Sequence, residues 1–287
     1  MIRHVIWSIR RELWENRWIW LAPSAIAAAL MLGFIAYAFR LPGIIAALRS
    51  LDAARVHRGL TEPYDIVAGI MMGIGLLIAL IYCVDALYGE RRDRSILLWK
   101  SLPVSDLETV LAKLSIPVLV LPLICWALTF ALHLLMLVTT TVVLAAHGES
   151  ASAVWAEARL LPNALGLLYH LVALHGVGFA PIYGWLLLVS AWAPRAPLAW
   201  AILPPAAIGV IERFAFGTTR FAELLISPLS GGSNAASSPM TPGGGLMDEL
   251  MRPSIEGFLL TPALWIGLTI AALFVFGATR VRRGATV

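Results

Sequence analysis

Cysteine, lysine and charge of either sign are what this chain has least of. It has two cysteines, Cys83 and Cys125, and two lysines, Lys100 and Lys113, in 287 residues. Charged residues make up 13%, about half the share in an ordinary soluble domain, roughly 25%. So few cysteines exclude a disulfide-stapled secreted scaffold. Little charge beside 60% apolar residues and a mean hydropathy of +0.83 excludes a disordered chain and a soluble globular one alike. Both cysteines lie inside long apolar runs, where a free thiol behaves as a small buried hydrophobe. Catalytic patterns are missing too: there is no HExxH, no GxSxG and no Cys/His cluster at metal-ligand spacing. A P-loop needs Gly-Lys-Ser/Thr, whereas the lysines stand in Trp99-Lys100-Ser101 and Ala112-Lys113-Leu114. The chain is read as no enzyme, with no cofactor or metal of its own.

What is present is a set of apolar runs long enough to cross a hydrocarbon core of about 30 Å. Six spans are expected: Trp18–Phe39, Ile66–Tyr88, Ser115–Ala146, Ala164–Ala193, Pro197–Phe216 and Pro262–Thr279. The expected fold is an all-α membrane protein with one transmembrane domain over 1–287. Pro117, Pro122 and Pro181 give the long third and fourth spans places to kink. Trp192 and Trp200 bracket the short Ala193–Pro197 turn as an aromatic belt does.

The formal charge of +4 does not point to nucleic acid, because the basic residues gather at the ends of apolar runs. Thirteen of the 21 fall on the side of the termini, with seven of the 17 acids. By the positive-inside rule both termini are expected in the cytoplasm, with the spans among membrane lipids. Residues 1–17 carry Ile2, Val5, Ile6, Ile9 and Leu13 at helical spacing, with Arg3, Arg10, Arg11 and Glu12 mostly elsewhere and Trp7 and Trp14 near the boundary. That pattern predicts an amphipathic helix in the interface. On the far side, 217–261 contains GGSNAASSPMTPGGG and is read as a solvated loop. His170 and His175, five apart, stand about 140° apart on an α-helix, which argues against a shared metal. The Gly69-xxx-Gly73 pattern, with Gly75 beside it, permits close helix packing.

The only densely charged stretch is YGERRDRSILLWKSLPVSDLETVLAK, Tyr88 to Lys113, within a loop over 89–114. It predicts helix, turn, helix: one helix over Glu90–Lys100, a break at Leu102-Pro103-Val104, and a restart at Asp106 capped by Ser105 and Glu108. Two short helices under a membrane form a knob suited to a groove on a soluble partner.

Here the sequence resembles the permeases of type-2 ABC transporters. The resemblance rests on Glu90-Arg91-Arg92, the hydroxyl of Ser95, an apolar patch that includes Trp99, then Lys100, Ser101-Leu102-Pro103-Val104-Ser105, Asp106 and the closing Lys113. Arg94 departs from the pattern, since relatives have a small or acidic residue there. The resemblance implies an N-terminal elbow helix and a cytoplasmic coupling helix between spans two and three. It implies a P-loop ATPase subunit that binds ATP and Mg, and a second permease copy as partners. Glu90, Arg91, Arg92, Ser95, Trp99, Lys100, Ser101, Leu102, Pro103, Ser105 and Asp106 would be the ATPase-coupling residues of an exporter. The alternative is a membrane scaffold or signalling component whose loop docks a partner that is not an ATPase.

Overall fold

A computed structural model describes residues 2–48, 53–96, 104–221, 223 and 259–284, and among these every regular element is helical. Helix α1 (Ile2–Glu15) leads through a short turn into α2 (Trp18–Ala38), which α3 (Leu41–Leu48) follows. The long α4 (Ala53–Asp85) ends just before α5 (Tyr88–Arg92). After the connector come α6 (Asp106–Ser115), a π-helical turn π1 (Ile116–Val120) and α7 (Leu121–Ala146). The short α8 (Ser152–Ala158) precedes α9 (Leu160–Tyr169), a second π-helix π2 (His170–Gly178) and α10 (Ala180–Trp192). Helices α11 (Pro197–Phe216) and α12 (Pro262–Gly284) complete the described chain.

Six helical runs are long and apolar enough to cross a membrane: Trp18–Ala38, Arg55–Arg92, Asp106–Ala146, Ser152–Gly178, Pro197–Phe216 and Pro262–Gly284. The sixth runs five residues past the expected Thr279, and three others differ more from the sequence-based bounds. The second starts eleven residues earlier than Ile66. The third starts at Asp106 because the capped helix continues unbroken through π1 into α7. The fourth divides at Phe179, where φ −87° and ψ 1° leave the helical region, so α10 is a separate apolar helix of 13 residues.

Both π-helices have local causes. Pro117 and Pro122 supply no N–H to the ladder, and Leu121 N–H donates to the Ile116 carbonyl five residues back. In π2 the ladder ends just ahead of Pro181, which likewise has no donor. The two widened turns meet. A Cβ on Gly176 would stand 2.2 Å from the Val118 carbonyl oxygen, so only glycine allows this approach. The small-residue pattern of the second span acts differently from expectation. Gly73 faces open space, whereas Gly75 packs on Cys125 Sγ.

Two apolar cores stack along the bundle. One gathers Ile19, Tyr82, Cys83, Ile116, Leu121, Phe179, Tyr183, Leu187 and Ala278 near the end that carries both termini. The other gathers Phe34, Tyr64, Met71, Met136 and Leu144 toward the opposite end. Trp192 and Trp200 meet edge-on at 4.9 Å across the tight turn, where Ala196 adopts φ 48° directly before Pro197. Helix α11 stands apart: Ala201 is its only buried residue.

Candidate functional site

Charged residues have little reason to be buried in so apolar a chain unless they pair with one another. At the end that carries both termini they do so. Glu12 (from α1) and Lys113 (from α6) are almost wholly buried, and Lys113 Nζ lies 2.9 Å from Glu12 Oε1 and 3.1 Å from Glu90 Oε1. The other Glu12 oxygen accepts from the Tyr82 hydroxyl at 2.8 Å. Glu90 Oε2 accepts from Arg282 of α12, whose Nε donates to Asp106 Oδ1 at 3.0 Å. Arg11 completes the group, 3.0 Å from Glu12 and 3.9 Å from Glu90. Glu12, Glu90 and Asp106 thus face Arg11, Lys113 and Arg282, and Arg11 also lies 3.7 Å from the exposed Glu15 at the rim.

Burial alone would raise the Glu12 carboxyl, but Lys113 beside it, the Tyr82 hydroxyl and Arg11 hold it below the ordinary value. The carboxylate is therefore the resident form. Five elements converge on the junction: α1, α4 through Tyr82, α5, α6 and α12.

Beside it, α5 is clamped to the end of α10. The Ser190 hydroxyl, fully buried, accepts from the Leu87 and Tyr88 backbone N–H groups, each at 2.9 Å. Arg91 donates to the Ser190 and Ala193 carbonyls, each at 2.8 Å. These bonds satisfy the helix ends that the break between α4 and α5 exposes.

The residues singled out in the sequence therefore separate into distinct roles. Glu90, Arg91 and Asp106 bond inward to the protein's own helices. Arg92 is exposed, 3.0 Å from Asp93 and 3.8 Å from Asp85, and its guanidinium holds the Asp93 carboxyl below the usual range. Ser95 Oγ donates to the Glu90 carbonyl at 3.4 Å. Ser105 caps α6 in a reciprocal capping box with Glu108, as the spacing predicts. Trp99, Lys100, Ser101, Leu102 and Pro103 lie outside the described residues.

The helix expected over Glu90–Lys100 is not continuous: α5 ends at Arg92, and Arg94 takes φ 56°, which a continuing α-helix does not accommodate. The N-terminal helix also turns differently. Ser8 and Glu12 are buried, Ile9 and Leu13 pack on the core, and Ile6, Trp7 and Trp14 are exposed, with Arg10 4.6 Å from the Trp14 ring.

Sequence reasoning missed Glu12, Tyr82, Ser190 and Arg282. The only signal available was an acid at position 12 on a helix with two neighbouring arginines, and that pattern reads equally well as a solvated face. It also separated His170 from His175, whose rings stand 5.0 Å apart because π2 brings residues five apart onto one face. No family model matches the chain, and neither does any curated protein or solved structure.

Proposed function

We propose that the chain is the transmembrane permease subunit of an ATP-binding cassette exporter in a bacterial cytoplasmic membrane, with both termini inside the cell. A separate P-loop ATPase docks on the connector between the second and third spans and supplies ATP and Mg binding. The buried ionic junction carries the reading. A push on the connector reaches α1 through Glu90, Lys113 and Glu12, and reaches α12 through Arg282. A loop that served only to join two spans would not need to be tied to both terminal helices by buried charge.

In this reading Arg92, Asp93 and Arg94, with the exposed Leu107 and Leu111 of α6, offer the docking face. Glu90, Arg91 and Asp106 position the connector. Helix α1 is the elbow, its exposed Trp7 and Trp14 suiting the membrane interface. A second permease copy is supported by α11, an apolar helix in which Ala201 is the only residue buried among the described residues.

The test is to tag the C-terminus, extract the protein gently from its native membrane and identify what co-purifies in stoichiometric amount. A P-loop ATPase is expected, and it is lost in the Arg92→Glu/Arg94→Glu variant while the thermal midpoint is unchanged. An intact, abundant chain with a different stoichiometric partner would instead assign the connector to a membrane scaffold or signalling component.

A further inference from the structure

A pair of histidines lies outside the ionic junction. His170 and His175 lie in π2, roughly midway along the run from Leu160 to Trp192. An imidazole within an apolar helical bundle asks for a partner, whether neutral or charged. The Nδ1 atom of each ring is buried and has no hydrogen-bond partner. Around them the site is firmly built. The His175 ring stacks on Phe179 at 5.4 Å with planes 5° apart, and the Tyr183 hydroxyl donates to the His175 carbonyl at 3.0 Å. The Gly176 contact with Val118 fixes the turn between the two histidines against π1.

We propose that His170 and His175 form a binding site for a late first-row transition-metal cation, the class that imidazole nitrogen prefers. Three observations lead there. The π-helix, itself uncommon and frequent at functional sites, places both rings on one face. Their centroids are 5.0 Å apart with planes inclined 46°. Two imidazoles sharing one tetrahedral ion at about 2.0–2.1 Å per bond stand roughly 5 Å apart, centre to centre. Each ring also retains a nitrogen with no other partner.

Among the described residues no third histidine, cysteine, aspartate or glutamate joins them. Structural zinc sites close all four positions with protein ligands, whereas catalytic sites keep a position open to water or substrate. Two protein ligands leave the remaining positions of a tetrahedral ion to water or another ligand. The site does not rest on an ATPase partner, and a failure of either reading leaves the other standing.

The experiment uses the full chain, purified in nanodiscs and stripped with a chelator. Zn2+ is titrated by calorimetry, and Cu+ is titrated in competition with a chromophoric chelator. Saturable binding of at least one of these ions, at one per chain, is expected. His170→Phe and His175→Phe, which keep a ring in place, should each weaken it at least tenfold, while His147→Phe, on an exposed helix end, should not. X-ray absorption of the bound ion should show two imidazole ligands. No saturable binding of either ion, or binding unchanged in the double variant with an unchanged thermal midpoint, overturns the proposal and leaves the pair as ring packing.

Discussion

Glu12 and Lys113, 101 positions apart in the chain, meet at 2.9 Å with almost no surface left to solvent. The pair fastens the first helix to the start of the third span. It also bears on two neighbouring charges, because Arg11 shares Glu12 and Glu90 shares Lys113.

Lys113→Met should be strongly destabilising. It takes from Glu12 its nearest buried cation, leaving Arg11 and the Tyr82 hydroxyl, and strips Glu90 Oε1 of its closest partner, a loss of up to about 3–5 kcal/mol for a broken buried pair. Glu12→Gln combined with Lys113→Met should recover much of that loss, because it removes the carboxylate that lost Lys113. Thermal unfolding of the single and double variants in one detergent checks the sign of the coupling.

Stability should fall on the acid side for a stated reason. The Glu12 carboxyl is held below its ordinary value of 4.5, so its contribution is fully present above that pH and is lost as the pH falls through the depressed folded value. A pH series of melting midpoints should decline below about pH 4.5. The decline should be shallower in Glu12→Gln; an identical acid limb would mean that other carboxylates govern it.

Ser190→Ala removes the one acceptor shared by the Leu87 and Tyr88 N–H groups. Leaving buried donors unsatisfied costs about 1–3 kcal/mol. Hydrogen exchange should accelerate locally over 86–92 before the rest of the bundle responds. Uniform acceleration would show that the clamp has no local role.

Gly176→Ala should force π1 and π2 apart, since its Cβ would meet the Val118 carbonyl oxygen at 2.2 Å. Overpacking of this kind costs about 1–3 kcal/mol. Gly73→Ala, at a position with open space around it, serves as the neutral comparison in the same melting experiment.

Much of the architecture was legible in the sequence because hydropathy over some 20 residues is a local property. Runs such as Trp18–Ala38 and Pro197–Phe216 announce themselves by length alone, and the Ser105/Glu108 capping box by a spacing of three. Neither depends on what lies elsewhere in the chain. The elbow and coupling roles and the ATPase partner were read from the resemblance, and they stand here as a proposal.

Tertiary structure alone decided which charges are interior. Glu12 and Arg92 look alike in sequence, each a charged residue beside an opposite charge, yet one is buried beneath Lys113 and the other is exposed. The difference lies in partners about a hundred positions away, which no local pattern encodes. The two π-helices are the other such decision. Proline and glycine signal that a ladder is weakened, but whether it kinks or widens depends on what packs there. Here the Val118 carbonyl against Gly176 accompanies widening, and the wider turn brings His170 over His175.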